Sequence, residues 1–236
     1  MKQRIFNLII LDESGSMQSI KPQAVSGVNE TLQTIKGAQQ QFEEQEHLVT
    51  FVTFSAMPWG GGKENVKMHY KCTPAELVRE IMDGDYMPNG GTPLYDAMGI
   101  SLTQLRSMVK DEDKVLVTII TDGYENASRE YDGKAIAGLV GELRERGWTF
   151  TYIGANQDVD KVAEEMGIKH RLAFSADIQG TKAMFEQEHE LRKCYYLKVA
   201  EGSLFDEDAN FFDNSDGKKT EDKKNKRGWL DKLLGE

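Results

Sequence analysis

Two short runs of the chain, residues 4–11 (RIFNLIIL) and 114–121 (KVLVTIIT), are apolar at nearly every position, and each stops at an aspartate. A strand that is apolar on both odd and even positions must be covered on both faces. A parallel sheet flanked by helices does this, and a half-solvated antiparallel sheet does not. Residues 4–11 are therefore expected to form a central strand. The chain around these runs alternates in kind. Residues 22–45 carry Val25, Val28, Leu32, Ile35 and Phe42 at helical spacing behind Pro22, and residues 47–55 (HLVTFVTFS) read as a second strand. Residues 66–70 suggest a short edge strand and 74–82 a short helix. Residues 93–109 suggest a longer helix, with Leu94, Ala97, Met98, Leu102, Leu105 and Met108 on one side. Helix over 136–146, strand over 149–153, helix over 159–166 and strand over 171–174 follow. A final helix over 177–197 offers Met184, Phe185, Leu191 and Tyr195 for packing. Such alternation implies an α/β fold: a doubly wound, mostly parallel central sheet with helices on both faces, Rossmann-like in layout. The stretch 56–63, with Trp59 and three consecutive glycines, reads as a turn whose tip is mobile.

The length of 236 residues suits one domain of this kind over 1–200 and an extension over 201–236. The extension is acidic and then basic. Residues 201–216 hold six acids and no Lys or Arg, and 218–227 hold six basic residues against two acids. That composition predicts a solvated, flexible tail. Its end, GWLDKLLGE, puts Trp229, Leu230, Leu233 and Leu234 on one helical face. This amphipathic segment either docks into a groove, on a partner or on this chain's own surface, or is a frayed end; as a membrane anchor it would bury little area. The net charge of 29 − 39 = −10 argues against nucleic acid and anionic lipid as partners. No run is long enough to span a bilayer or to form a signal-peptide core, so the expected location is cytoplasmic, without stable membrane insertion. In that compartment Cys72 and Cys194 are expected to stay reduced.

In open α/β sheets ligands bind beyond the carboxyl ends of the strands. Three segments there collect oxygen donors: Asp12-Glu13-Ser14-Gly15-Ser16, Gly90-Gly91-Thr92-Pro93 and Asp122-Gly123. Carboxylates and hydroxyls without His or Cys suit a hard divalent cation, and Mg²⁺ in particular keeps several waters. In an extended loop Asp12, Ser14 and Ser16 would point the same way, with Gly15 allowing a tight turn between the serines. Thr92 and Asp122 would join them from neighbouring loops, leaving an open position for water or a ligand oxygen. Each piece also has a purely structural reading. The serines can make local turns, Thr92-Pro93 can start a helix as N-cap and N1, and Asp-Gly is a common turn dipeptide. Asp96 is expected to be a structural hydrogen-bonding residue in the first turn of its helix.

DESGS after a buried strand, GGTPLYDAM in the middle and TDG after a second buried strand together resemble a von Willebrand factor type A domain with a metal-ion-dependent adhesion site (MIDAS), of the intracellular single-domain type. The resemblance covers roughly residues 1–200. It implies that Ser14, Ser16 and Thr92 ligate the ion directly or through water, that Asp12 and Asp122 ligate or support it, and that a Glu or Asp of a bound protein completes the sphere. The ion implied is Mg²⁺, with Mn²⁺ or Ca²⁺ as alternatives. Intracellular domains of this kind often recruit substrates or partners in stress or assembly systems, so the expected function is a Mg²⁺-dependent protein-interaction module in a recruiting or regulatory subunit, not an enzyme.

Two other classes compete. One is a metal-dependent phosphatase or phosphotransferase using Asp12 as nucleophile, but Ser14 stands where such enzymes carry a second acid. The other is a metal-independent scaffold that recruits through GWLDKLLGE. A serine hydrolase lacks a base, because His47, His69, His170 and His189 fall away from the expected crevice. A P-loop and G-x-G-x-x-G are both missing from the sequence.

Overall fold

The computed structural model describes residues 2–57, 65–203, 210 and 212. Six strands, β1 (Gln3–Asp12), β2 (Gln45–Phe54), β3 (Val66–Pro74), β4 (Lys114–Thr121), β5 (Trp148–Gly154) and β6 (His170–Ala173), form one sheet among these residues. Its order is β3-β2-β1-β4-β5-β6. Only β3 runs antiparallel to its neighbour. The helices are α1 (Lys21–Gln41), α2 (Leu94–Arg106), α3 (Gly133–Glu145), α4 (Val159–Glu165) and α5 (Ile178–Ala200). The chain leaves β1 toward β2 and β3 and returns on its other side at β4, so the order reverses between β1 and β4.

The double-sided apolar pattern of β1 is divided by the pleat. Ile5, Ile9 and Leu11 join a core with Val28, Leu32 and Ile35 of α1 and with Met184, Phe185, Leu191 and Tyr195 of α5. Phe6, Leu8 and Ile10 join the opposite core with Leu94, Met98 and Leu102 of α2 and Ile136, Val140 and Leu143 of α3. Helices α1 and α5 approach so closely at Gly27 that a Cβ there would sit 2.1 Å from the Phe185 ring.

Asn7 interrupts the apolar pattern of β1 and anchors α5. Its Oδ1 accepts from Tyr196 Oη (2.5 Å) and Arg192 Nη1 (3.1 Å). Arg192, fully buried, also donates to Glu188 through Nε (2.8 Å) and to Thr118 Oγ1 (3.0 Å). Every nitrogen of the guanidinium thus faces an acceptor, as a buried ion pair requires.

The element boundaries differ from the expectations in instructive places. The expected helix over 74–82 is not there: Pro74 ends β3, and only Ala75–Leu77 makes a 3₁₀ turn. Asn29 of α1 holds the following segment extended, accepting from the Ile81 N–H (2.8 Å) and donating to its carbonyl (3.0 Å), while Ala75, Val78 and Ile81 are buried. Helix α1 stops at Gln41 because residue 45 already pairs with Gln3 in the sheet. Cys72 and Cys194 form no disulfide. No helix among the described residues is long and apolar enough to cross a membrane.

The stretch read as solvated tail is tied down at two points. Asn210 accepts from the backbone N–H of Arg171 and donates to its carbonyl, both at 3.0 Å, so its side chain continues the edge of β6. Phe212 is buried in the core beneath α1 and α5. The Trp59 turn with its glycines and the GWLDKLLGE segment lie outside the described residues.

Arg192→Leu should lower unfolding stability by about 3–5 kcal/mol in urea denaturation, because it strands the Glu188 carboxylate in the core. Arg192→Leu/Glu188→Leu should recover part of that loss; a double variant as unstable as the sum of the single ones would contradict this account of the pair.

Candidate metal centre

The carboxyl ends of β1 and β4 meet at the point where the strand order reverses, which is where an open α/β sheet leaves a crevice. Asp12 closes β1 there, with no exposed surface. Thr121 at the end of β4 donates to its Oδ2 (2.6 Å), and the Ser14 N–H donates to its Oδ1 (2.7 Å). Tyr86, also fully buried, donates to its main-chain carbonyl (2.5 Å). Both carboxylate oxygens are thereby aimed by the protein.

Beyond Asp12 the chain does not stay extended. Gly15–Ile20 form a 3₁₀ turn, so Ser14 and Ser16 converge through a bend and not through strand-like alternation, which corrects the geometry expected from the spacing. Their hydroxyls lie 3.1 Å apart, and Ser16 Oγ donates to Asp122 Oδ1 (2.5 Å). A hydroxyl has one proton, so the bond between the serines runs from Ser14 to Ser16.

Thr92 reaches the same place from a third loop. A Cβ built on Gly123 would stand 3.8 Å from both Ser16 Oγ and Thr92 Oγ1, so these hydroxyls flank the space that the glycine leaves open. Thr92 does not act as a helix cap. Pro93 occupies the N-cap position of α2, with no side-chain capping bond. What positions Thr92 is Asn126, whose Oδ1 accepts the Thr92 N–H (2.9 Å) while its own backbone N–H donates to the Thr92 carbonyl (3.1 Å). Asp12, Ser14, Ser16, Thr92 and Asp122 are thus gathered at one crest.

Several residues that build the crest are not legible as such in the sequence. The Glu13 carboxylate accepts the Met87 N–H, and its carbonyl accepts the Asn89 N–H (2.8 Å), which ties the 87–91 loop to the end of β1. The carbonyl of Gly90, a residue at φ +71°, accepts the Gly15 N–H (3.0 Å), and a Cβ on Gly90 would strike the Ala56 carbonyl. Asp96 is structural, as expected, but its partners are distant: it accepts the N–H groups of Arg129, Glu130 and Tyr131, each at 2.8 Å. Glu125 similarly accepts from the N–H groups of Tyr95, Ala127 and Ser128.

Burial pushes the Asp12 carboxyl up to about 6, against the hydrogen bonds from Thr121 and Ser14, and the nearby Asp122 adds to the rise. Burial raises Asp122 as well, opposed by Ser16. Two acids that are hard to ionise together form a site that a divalent cation relieves. The donors are three hydroxyls and two carboxylates, and no group of three or more His, Cys, Asp or Glu gathers as a metal cluster among the described residues. Oxygen donors of this kind fit Mg²⁺ and not a zinc site built on thiolates or imidazoles.

A family model described as von Willebrand factor type A domain matches residues 8–187. Comparison with curated proteins finds no match. Among solved structures, the pilus adhesin SpaC from Lactobacillus rhamnosus GG is similar at a TM-score of 0.59 and 17% identity, over 80% of this chain and 30% of that one. Proximal thread matrix protein 1 from the mussel byssus is similar at 0.53 and 14% identity, over 80% and 46%. The form of that protein with a zinc-occupied MIDAS motif gives 0.50 and 14%, over 81% and 46%. This chain spans less than half the length of these structures, and the likeness is one of fold.

A carboxyl at about 6 in the folded chain, against 3.8 for a freely solvated aspartate, costs folding up to about 3 kcal/mol above pH 6, and the cost vanishes as pH falls below 3.8. In chelator, Asp12→Asn should therefore gain stability relative to the parent as pH rises from 4 to 7, measured by urea denaturation. A stability difference that stays flat across that range would show that the buried charge carries no such cost.

Proposed function

The chain belongs to the von Willebrand factor type A domain family, and on that premise we propose that it is a Mg²⁺-dependent protein-interaction module whose ion meets a carboxylate of a partner. The observation that carries this reading is the convergence of Ser14, Ser16, Thr92, Asp12 and Asp122 on one crest, with the Gly123 gap beside two of the hydroxyls. Ser14, Ser16 and Thr92 would offer neutral oxygens, while Asp12 and Asp122 would orient the hydroxyls and balance charge. A Mg²⁺ ion held there would supply a Lewis-acidic position for an Asp or Glu side chain. Mn²⁺ and Ca²⁺ are alternative occupants.

The surroundings support a protein partner. Met57, Met87 and Tyr124 are exposed, at 47%, 61% and 53%, and all three adjoin the crest loops. Met57 follows Ala56, which bridges Gly91; the Met87 N–H binds Glu13; and Tyr124 follows Gly123. Exposed methionines adapt to varied apolar surfaces, and an exposed tyrosine contributes a large, stiff contact. We also read the chain as a binding protein and not an enzyme. A phosphoryl-transfer nucleophile at Asp12 would need an accessible oxygen, whereas both Asp12 oxygens are buried and already accept hydrogen bonds. The role we assign is a cytoplasmic recruiting or regulatory subunit, a setting with which the unjoined Cys72 and Cys194 agree.

Isothermal titration of the metal-stripped chain with Mg²⁺ and Mn²⁺ tests the reading. Saturable binding at one site should be lost in Ser14→Ala/Ser16→Ala and weakened in Thr92→Ala. The serine pair is preferred to Asp12→Ala, which would also orphan the Ser14 N–H and the Thr121 hydroxyl inside the fold. Equal binding by parent and double variant, with both folded by circular dichroism, would sink the metal site.

A further inference from the structure

Beside the candidate metal centre, on the β5 side of the crest, lies a cleft of about 360 Å³. Its walls come from three elements. Tyr95 stands in the first turn of α2, three residues after Thr92; Tyr124 and Glu125 follow Gly123 directly; Asp158, Lys161 and Glu165 line it from α4 and its start. The same two loops that bring Thr92 and Asp122 to the crest therefore continue into the cleft.

The charge of this cleft is uneven and partly locked. Three carboxylates face one ammonium, a formal balance of −2. Glu125 cannot swing away, because its oxygens accept from the N–H groups of Tyr95, Ala127 and Ser128 and from Ser128 Oγ, at 2.7–2.9 Å. Asp158 is held as the cap of α4, accepting the Lys161 N–H at 3.1 Å. The Asp158 N–H donates to Tyr124 Oη (3.0 Å), which fixes the ring of Tyr124 at the mouth while 53% of the residue stays exposed. The Tyr95 phenol is pushed up by its partial burial and then by the charges of Glu125 and Glu165, so the negative field reaches both walls.

Two aromatic rings and an excess of fixed negative charge around a hollow of this size suit a cation with a flat, weakly hydrated head. We propose that the cleft receives an arginine side chain of the protein partner, a few residues along the partner's chain from the carboxylate that meets the metal. This deepens the proposed metal-dependent interaction and rests on it for the neighbouring carboxylate. The resulting partner motif pairs an acid with a base. An acid alone would fit the crest, but it would leave the negative cleft beside it empty. The chain's net charge of −10 draws such a basic segment in from a distance. An anionic occupant is disfavoured by the three carboxylates, with Lys161 as the one cation among the lining residues.

The test titrates the isotope-labelled full chain with N-acetylarginine amide and with N-acetylnorleucine amide, followed by amide chemical shifts, at low salt. Arginine amide should shift residues 124, 125, 158 and 161–165 saturably, and norleucine amide should not. Glu165→Gln should weaken that binding about five-fold and Lys161→Met should strengthen it by a similar factor, since each changes the cleft by one charge. Both substitutions lie outside the crest, so Mg²⁺ titration of the same proteins should be unchanged. The arginine response should persist in chelator and in Ser14→Ala/Ser16→Ala, so a parent chain that shows it without binding Mg²⁺ would count against the metal reading and not against the cleft. In a second arm, acetylated peptides with Asp and Arg separated by one to three glycines should gain affinity when Mg²⁺ is added, and their Asn–Arg counterparts should not. Equal shifts from arginine and norleucine amides would overturn the proposal. So would arginine binding with no Mg²⁺-dependent gain for any Asp–Arg peptide in a chain that binds Mg²⁺.

Discussion

A parallel sheet covered by helices on both faces has no side-chain surface left for solvent, so polar function is confined to the ends of its strands. In this chain that confinement is sharpest at Asp12. It closes the central strand β1 with no exposed area, and its two oxygens are aimed by Thr121 from β4 and by the Ser14 N–H. Ser14, Ser16 and Asp122 are arranged around that pair of strand ends, and the loop carrying Thr92 is brought up to them by Glu13 and Asn126. Without the β1–β4 pairing the five donors would belong to three unrelated loops.

Acidic residues around the crest divide by what their oxygens already do. Glu13, Asp96 and Glu125 accept backbone N–H groups, of Met87, of residues 129–131 and of Tyr95, Ala127 and Ser128 respectively, and act as ties. A carboxylate that accepts two or three N–H groups stabilises an irregular loop more than a neutral side chain could, because charged acceptors make stronger hydrogen bonds. Asp12 instead accepts from the buried Thr121 hydroxyl and the adjacent Ser14 N–H, and Asp122 from the Ser16 hydroxyl, which leaves two buried carboxyls near one another. The first group builds the scaffold, with Glu125 also lining the cleft, and the second creates a demand for positive charge at the crest.

Under α5, on the face of the sheet, the core holds charge in a different way. Arg192 and Glu188 are both fully buried, but each faces the other, Asn7, Thr118 and Tyr196 accept from the remaining donors of Arg192, and Thr31 donates to the second oxygen of Glu188. A pair so completed contributes less to stability than to register: the position of α5 over the sheet is tied to single polar residues of β1 and β4. At the crest the balance is left open, and that contrast between a closed and an open polar cluster separates structure from function in this molecule.

Local periodicity is enough to show the alternation of buried strands and amphipathic helices and the position of β1 in the interior of the sheet, while Asp12, Ser14, Ser16, Thr92 and Asp122 are marked by the composition of their loops and by the resemblance of their motifs. These follow from pattern and composition, which short-range sterics and burial impose on any chain. The tertiary structure decided which partner each polar group takes. Asp96 binds residues 129–131 instead of its own helix, Asn126 rather than a helix cap holds Thr92, Asn29 keeps residue 81 extended where a helix was expected, and Asn210 and Phe212 fasten a stretch whose composition reads as solvated. Side-chain amides and carboxylates bond over long sequence separations with no periodic signature, so their targets are fixed only once the sheet has brought distant loops together.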